Sequence, residues 1–253
     1  MTQLLVSVRS PIEAIAAVAG GADIVDVKEP HHGSLGCATS EVILEICSAL
    51  RSHRVQPPLS FALGELSEWN SVPRDDLRRT IKATAPRFLK VGLAGTQSGS
   101  IQDLKAASAR FGLNATASWF DEWRQLRELI AEPSAWVAVA YADAEQARSP
   151  DIDDVLSAAI KADCGVLLID THSKDTRSLI AHLSVPYLMS IRERTARHGL
   201  KLALAGQITI ATLPEVVCIQ PDIIAVRGAV CDAGERTATV SAKLVQQFRE
   251  AFV

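Results

Sequence analysis

Short apolar runs alternate along the whole chain with longer stretches in which apolar residues recur at helical spacing. The runs are rich in Val, Ile, Leu and Ala, and they carry little polar alternation before their last residues. Such runs are typical of parallel strands covered on both faces, and the stretches between them are typical of amphipathic helices. The predicted strands are Leu4–Val8, Asp23–Lys28, Leu59–Leu63, Arg87–Gly92, Trp136–Asp143, Gly165–Thr171, Lys201–Gly206 and Ile223–Gly228.

The helical stretches carry recognisable end signals. Pro11 stands in the first turn of a helix that runs to the Gly20-Gly21 pair, and Ser40 is expected to cap the next helix. The predicted helices are Pro11–Gly20, Glu41–Leu50, Asp75–Ala83, Phe120–Ile130, Asp153–Ala162, Ser178–Arg197 (broken near Pro186), Ile210–Val217 and Thr237–Phe248. Eight strands alternating with eight helices predict an α/β fold, a (β/α)8 TIM barrel.

A doubly wound open sheet is the rival architecture. Its dinucleotide-binding form carries G-x-G-x-x-G in the first turn, whereas the first turn here is Arg9-Ser10-Pro11. The chain has 253 residues and no linker-like segment, so we expect one catalytic barrel domain spanning residues 1–253. The pattern is least clear between Gly95 and Glu132, which holds more residues than one helix needs.

Composition and charge argue against nucleic acid, membrane and metal as partners of this chain. The net charge is -3 and the pI is about 6.1, so nothing in the charge favours nucleic acid. No apolar run approaches the roughly 18–20 residues of a membrane span, and the first residues do not resemble a signal peptide. The five cysteines are scattered without a C-x-x-C pair, which argues against a disulfide framework or a zinc site. We expect a cytoplasmic protein without a metal.

Two polar residues close the second predicted strand. Asp26 and Lys28 are two positions apart, so both side chains point to the same side of the strand, towards the barrel mouth. Partial burial lowers the pKa of such a lysine, and a nearby carboxylate can exchange protons with it. The arrangement suits imine formation with a carbonyl substrate. A plain ion pair that closes the top of the barrel is the alternative.

Other strand ends add candidates. Lys90 lies near the end of the fourth strand, where it could act as a base, as the nucleophile or as a rim lysine with no function. Asp170, His172 and Lys174 follow the sixth strand as a possible acid–base cluster. Asp143, after the fifth strand, could equally be a helix cap. The residues leave the roles of Asp143 and His172 open.

The last two strands predict an anion site. Gly206 ends the seventh predicted strand, Arg227 and Gly228 end the eighth, and Ala229 follows it. Glycines let backbone amides approach an anion, and arginine adds a planar fork of donors. In this fold, phosphate binds at the loops after these two strands. We therefore expect Gly206, Arg227, Gly228 and Ala229 to hold a substrate phosphate.

Six stretches together resemble a known family. They are GGADIVDVKEPHHGSLG, FLKVGLAGT, VAVAYADA, LLIDTHSKDTRSL, LALAGQI and DIIAVRGAVC, and they run in order along nearly the whole chain. The chain resembles the (5-formylfuran-3-yl)methyl phosphate synthases of methanofuran biosynthesis. The match is poorest between Gly95 and Glu132, and Glu65 stands where aspartate would also fit.

The resemblance implies a barrel enzyme that condenses two molecules of glyceraldehyde 3-phosphate with loss of phosphate and water. It implies that Lys28 forms the Schiff base and that Lys90 accepts a proton, whereas the residues alone allow either lysine to carry the covalent bond. Asp26, Asp170 and Lys174 match the family's other polar active-site positions. The resemblance implies a lyase that needs no cofactor, because the imine supplies the electron sink.

Three alternatives stay open. The chain could be a class I aldolase or a sugar-phosphate isomerase with the same barrel, or a non-catalytic phosphosugar-binding subunit. The expected partner in each case is a small phosphorylated sugar such as a triose phosphate. A homo-oligomer is possible, and the sequence does not indicate its state.

Overall fold

Eight parallel strands close into a barrel in which each strand pairs with its neighbours in chain order and the last pairs with the first. The computed structural model describes residues 1–53, 56–69, 74–97, 118–130, 133–173 and 177–252. The strands are β1 (Gln3–Val8), β2 (Ile24–Val27), β3 (Leu59–Glu65), β4 (Phe88–Gly92), β5 (Ala135–Tyr141), β6 (Val166–Asp170), β7 (Lys201–Leu204) and β8 (Ile223–Val226). The predicted (β/α)8 barrel is confirmed, and all eight predicted strands overlap observed ones.

Helices follow the strands along the outside of the barrel. Those in the described ranges are α1 (Pro11–Ala19), α2 (Ser40–Arg51), α3 (Asp75–Thr84), α4 (Trp119–Ile130), α5 (Ala144–Ala147), α6 (Ile152–Lys161), α7 (Leu179–His182), α8 (Val185–Arg197), α9 (Leu213–Cys218) and α10 (Ala242–Glu250). Pro11 lies in the first turn of α1 as predicted, and Ser10 caps this helix. The cap of α2 is Thr39, and the predicted cap Ser40 is the first helical residue. The predicted break near Pro186 lies at residues 183–184, because Ser184 caps α8 and Pro186 sits in its first turn.

The strands contribute to two apolar layers. Outward residues such as Val25 and Val27 join the helices in the larger cluster, while Ile24, Phe88 and Leu168 belong to a smaller cluster inside the barrel. Towards the carboxyl ends of the strands the buried residues become polar, with Ser7, Asp26, Lys90 and Asp170 all buried. The barrel is thus filled by apolar side chains below and by charged ones above, which is where enzymes of this fold carry their chemistry.

The predicted helix Thr237–Phe248 starts too early. Residues 231–240 form a hairpin loop instead, in which Cys231 pairs antiparallel with Val240 and the Asp232 amide donates to the Thr239 carbonyl at 3.0 Å. Helix α10 begins only at Ala242. Because the backbone of residues 239–241 is engaged across this hairpin, it cannot also form the first turn of a helix.

The start of helix α9 also differs from its prediction over Ile210–Val217. The helix begins at Leu213, because Thr209 and Thr212 exchange side-chain hydrogen bonds that hold residues 209–212 in a turn. Within the described ranges, no helix combines the length and the hydropathy of a membrane-spanning segment.

Candidate active site

A cavity of about 330 Å³ opens at the carboxyl ends of the strands. Its volume falls within the range of small-molecule sites, roughly 300–1,000 Å³. Both lysines predicted from the strand ends, Lys28 and Lys90, line it together with Asp170. The loops after β7 and β8 complete the wall with Gly206, Gln207, Arg227, Gly228, Ala229, Gly234 and Arg236.

Asp26 and Lys90 form a buried ion pair at the floor of the site. Lys90 Nζ lies 2.7 Å from Asp26 Oδ1, and the Ser7 hydroxyl donates to Asp26 Oδ2 at 2.9 Å. Burial alone would raise the pKa of the Asp26 carboxyl, but the charges of Lys90 and Lys28, with hydrogen bonds from Lys90 and Ser60, outweigh burial and lower it. Asp26 is therefore a carboxylate under the influence of both lysines.

Lys28 is held by the flap, defined as residues 29–36, which follows β2. Its Nζ donates to the Ser34 carbonyl at 3.2 Å. The Ser34 hydroxyl in turn lies 2.8 Å from the Thr171 carbonyl and 3.0 Å from the His172 carbonyl. The flap closes tightly on itself at Gly36, where a Cβ would lie 2.1 Å from the Glu29 carbonyl. Ser34 therefore joins the position of the Lys28 amine to the loop after β6.

The loop after β6 is organised by two carboxylates. Asp170 is buried and accepts from the Thr171 amide at 2.8 Å, so its position is fixed by the first residue of the loop. Asp143 accepts from the amides of His172 and Ser173, both at 2.7 Å. Asp143 thus holds the loop after β6 and does not serve as a side-chain cap for α5. Lys174 lies outside the described residues.

A second polar pair lies across the mouth, between the ends of β3 and β5. The Tyr141 hydroxyl donates to Glu65 Oε1 at 2.6 Å, and the Ala94 amide donates to Oε2 at 2.8 Å. Burial raises the pKa of Glu65 more than these hydrogen bonds lower it. Burial and the Glu65 charge raise the pKa of Tyr141 as well. Glu65 therefore holds a proton more readily than an exposed glutamate does.

Comparison with known proteins identifies the relatives of this chain. The family model described as 4-HFC-P synthase matches residues 4–249. The chain belongs to the 4-HFC-P synthase family. A relative from Methanococcus maripaludis strain C5 is named (5-formylfuran-3-yl)methyl phosphate synthase and is 35% identical over 234 residues, 92% of this chain and 91% of the relative. Synthases of the same name from Methanopyrus kandleri and Archaeoglobus fulgidus are 33% and 32% identical, each over 98% of both chains.

Solved structures of other barrels support the fold. The phosphoribosyl anthranilate isomerase of Thermus thermophilus superposes with a TM-score of 0.57 at 12% identity, covering 99% of this chain and 98% of that one. The 3-hexulose-6-phosphate synthase of Salmonella typhimurium superposes with a TM-score of 0.56 at 12% identity over the full length of both. At this identity the likeness concerns the fold alone, whereas the named relatives support a synthase and therefore an enzyme.

In this member of the 4-HFC-P synthase family, the strand-end residues predicted from the sequence converge. Lys28, Lys90 and Asp170 line one cavity, and Asp26 pairs with Lys90 beneath it. Gly206 also lines the cavity. Packing and backbone conformation explain why a glycine stands there, because its φ is +102° and a Cβ would lie 2.8 Å from Thr171 Cγ2. Gly228 and Ala229 lie in the wall as predicted.

Arg227 requires a correction. Its side chain is buried and all five of its N–H groups have protein acceptors. Nη1 donates to the Ser7 carbonyl at 2.9 Å and to Glu13 Oε2 at 2.8 Å, and Nη2 donates to Glu13 Oε1 and the Ala238 carbonyl, both at 3.2 Å. Nε donates to the Arg236 carbonyl. The guanidinium therefore stabilises the end of the barrel, and it has no donor left for the predicted phosphate contact.

Three residues that sequence reasoning missed shape the site. Glu13 balances Arg227, Ser34 positions Lys28, and Arg236 reaches the cavity wall from the hairpin loop. A glutamate in the first turn of a helix is usually an exposed residue that is stabilised by the helix dipole. The residues around Glu13 in the sequence therefore do not indicate that its side chain is buried. Within the described ranges, no group of three or more His, Cys, Asp or Glu side chains comes together as a metal site.

Proposed function

We propose that this protein condenses two molecules of glyceraldehyde 3-phosphate into (5-formylfuran-3-yl)methyl phosphate through an imine on Lys28. The observation that carries the proposal is the meeting of two lysines and a carboxylate at one cavity, since Lys28 and Lys90 line it and both lower the pKa of Asp26. The name of the relatives supplies the product. Loss of phosphate from carbon would make the enzyme a carbon–oxygen lyase.

The hydrogen bonds of the two lysines distinguish their roles. Lys90 Nζ is engaged at 2.7 Å by a buried carboxylate, which favours a role in proton transfer over attack on the aldehyde. Lys28 Nζ meets the uncharged carbonyl of Ser34 at 3.2 Å. In the proposed mechanism the Lys28 amine attacks the aldehyde carbon and water leaves. The resulting iminium N–H can donate to the same Ser34 carbonyl.

Proton transfer then falls to the groups around the imine. The iminium draws electrons from the adjacent carbon, so a base can remove its proton to give an enamine. The Asp26–Lys90 pair is suited to transfer protons, because Lys90 Nζ and Asp26 Oδ1 are 2.7 Å apart. The enamine can attack the second aldehyde, whose oxygen then takes a proton, or it can expel phosphate from the carbon beyond it. The two steps use separate electron pairs, and both are required to build the furan.

The upper wall would serve dehydration and the leaving groups. Asp170 lines the cavity close to the loop after β6, where it can take or give a proton as water is lost. Lys174, carried over from the family resemblance, remains an expectation as the cation that stabilises the departing phosphate. In this proposal no metal or organic cofactor takes part, because the protonated imine supplies the electron sink.

The proposal is tested by trapping the imine. The protein is incubated with glyceraldehyde 3-phosphate, reduced with borohydride, and digested so that mass spectrometry locates the adduct, while ultraviolet absorbance reports a furan product. Lys28→Arg keeps the charge but cannot form an imine. Lys201→Arg is the matched control, because Lys201 is exposed at the opposite end of the barrel, at the start of β7.

We expect the adduct on Lys28, an ultraviolet-absorbing product, the loss of both in Lys28→Arg, and neither loss in Lys201→Arg. An adduct on Lys90 would reverse the roles of the two lysines. An adduct without furan absorbance would indicate a class I aldolase or an isomerase. Bound triose phosphate with neither adduct nor product would refute the covalent mechanism and leave a phosphosugar-binding protein.

A further inference from the structure

Because protein acceptors engage the donors of Arg227, this arginine is not free to bind a phosphate at the wall formed after β7 and β8. A dianionic phosphate in a partly enclosed site needs charge-assisted donors, and arginine supplies them in a planar fork. The wall formed by the loops after β7 and β8 contains a second arginine, Arg236. This residue lies on the hairpin loop of residues 231–240, beyond the stretch that carries the family resemblance.

The hairpin loop brings Arg236 back over the end of β8. A Cβ placed on Gly228 would lie 3.2 Å from the Gly234 carbonyl and 3.8 Å from the backbone nitrogen and the Cβ of Arg236. The loop therefore passes directly over Gly228, and the absence of a side chain there makes the approach possible. Arg227 stabilises the same loop, because its guanidinium donates to the carbonyls of Arg236 and Ala238.

The Arg236 guanidinium has donors to spare. Among the described residues its one side-chain hydrogen bond runs from Nη2 to the Gly33 carbonyl at 2.8 Å, in the flap. Since a guanidinium carries five N–H groups, four have no acceptor in the part of the chain that the structure describes. Burial lowers the pKa of Arg236, which the charge of Asp170 opposes, and an arginine remains a cation throughout the physiological range.

We propose that Arg236 is the residue that binds the substrate phosphate, and that Arg227 is a positioning residue that holds the Arg236 backbone in place. The inference rests on the proposed function for the identity of the phosphorylated substrate. The proposal also links phosphate binding to the flap that covers the site, because the guanidinium that would bind the phosphate is hydrogen-bonded to Gly33 in the flap. The flap also contains Ser34, the hydrogen-bond partner of Lys28.

The test compares phosphorylated and unphosphorylated aldehydes. Arg236→Gln removes the charge, Arg236→Lys keeps the charge but not the fork, and Arg197→Gln is the control on an exposed part of α8. Borohydride trapping is measured with glyceraldehyde 3-phosphate and with glyceraldehyde. Loss of charge-assisted hydrogen bonds worth about 1.5–3 kcal/mol corresponds to a loss of about 10- to 100-fold.

We expect Arg236→Gln to lose that factor in trapping efficiency with glyceraldehyde 3-phosphate, mainly as a higher KM. With glyceraldehyde it should lose clearly less, because only the contact with Gly33 in the flap is then at stake. Arg236→Lys should recover part of the loss, and Arg197→Gln should behave as the unaltered protein. An equal loss with both aldehydes would overturn the proposal, because it would show that Arg236 supports the structure of the site and does not bind the phosphate.

A second measurement is independent of catalysis. Inorganic phosphate should raise the Tm of the unaltered protein and of Arg197→Gln, but not that of Arg236→Gln, relative to sodium chloride at equal ionic strength. If phosphate stabilises Arg236→Gln as strongly as the unaltered protein, the proposal fails. If the unaltered protein forms no imine but shows the Arg236-dependent shift, the proposed function fails and the phosphate site stands.

Discussion

Replacing Asp26 by asparagine should destabilise the barrel, because it leaves the Lys90 ammonium without its carboxylate. The Asp26 side chain is fully buried and only 5% of the Lys90 side chain is exposed, so little water can take the place of the lost partner. Removing one member of a buried ion pair costs about 3–5 kcal/mol. In a domain of this size each kcal/mol lowers Tm by about 2–4 °C, so Asp26→Asn should melt about 6–20 °C below the unaltered protein.

The second charge supplies the control. Lys90→Met leaves the carboxylate alone, and the double variant Asp26→Asn with Lys90→Met leaves no charge in the pair. Because an uncharged pair of similar volume often costs little, the double variant should lose less unfolding free energy than the two single losses added together. Urea unfolding followed by circular dichroism measures all four proteins. Losses that add to within about 0.5 kcal/mol would refute the reasoning that the ion pair is the source.

The same variants should differ in pH dependence. In the unaltered protein the pKa of Asp26 is lowered, so this group contributes stability above its unfolded pKa, and the contribution is lost as the pH falls through the folded pKa. Without Lys90, burial becomes the dominant effect and should raise the folded pKa above the unfolded one. Lys90→Met should then lose stability as the pH rises from the unfolded pKa of Asp26 to its folded pKa. If this loss is not seen, Lys90 is not what keeps Asp26 ionised.

Three further outcomes can be measured. Glu13→Gln should cost about 3–5 kcal/mol of unfolding free energy in urea, because it leaves the Arg227 guanidinium unbalanced at 4% exposure, and a loss below 1 kcal/mol would contradict that role. Tyr141→Phe should raise the pKa of Glu65 further by removing a 2.6 Å hydrogen bond to its carboxylate, as followed by carboxyl carbon NMR, and a fall in that pKa would contradict the assignment. Ser34→Ala should slow trapping of the imine several-fold while changing Tm by a few degrees, and a loss of Tm without slower trapping would make Ser34 structural only.

Local patterns were enough for the architecture and for part of the site. The apolar runs place eight strands correctly because a parallel strand covered on both faces needs a continuous apolar stretch, whatever its neighbours are. Closure of the barrel then brings all strand ends to one face. The convergence of Lys28, Lys90 and Asp170 therefore follows once the fold is known, since each closes or follows a predicted strand.

Local patterns failed where a role depends on a partner far along the chain. The position of Arg227 after an apolar strand is typical of a phosphate ligand. Closure of the barrel, however, places β8 beside β1, and the guanidinium forms an ion pair with Glu13, 214 positions away. Thr237 was assigned to a helix because its neighbours have helical spacing, and pairing across the hairpin overrides that preference. The sequence by itself thus determined the barrel and the residues at its strand ends. How the donors of Arg227 are used was decided by the tertiary structure, because the acceptors that occupy its guanidinium come together only when the chain is folded.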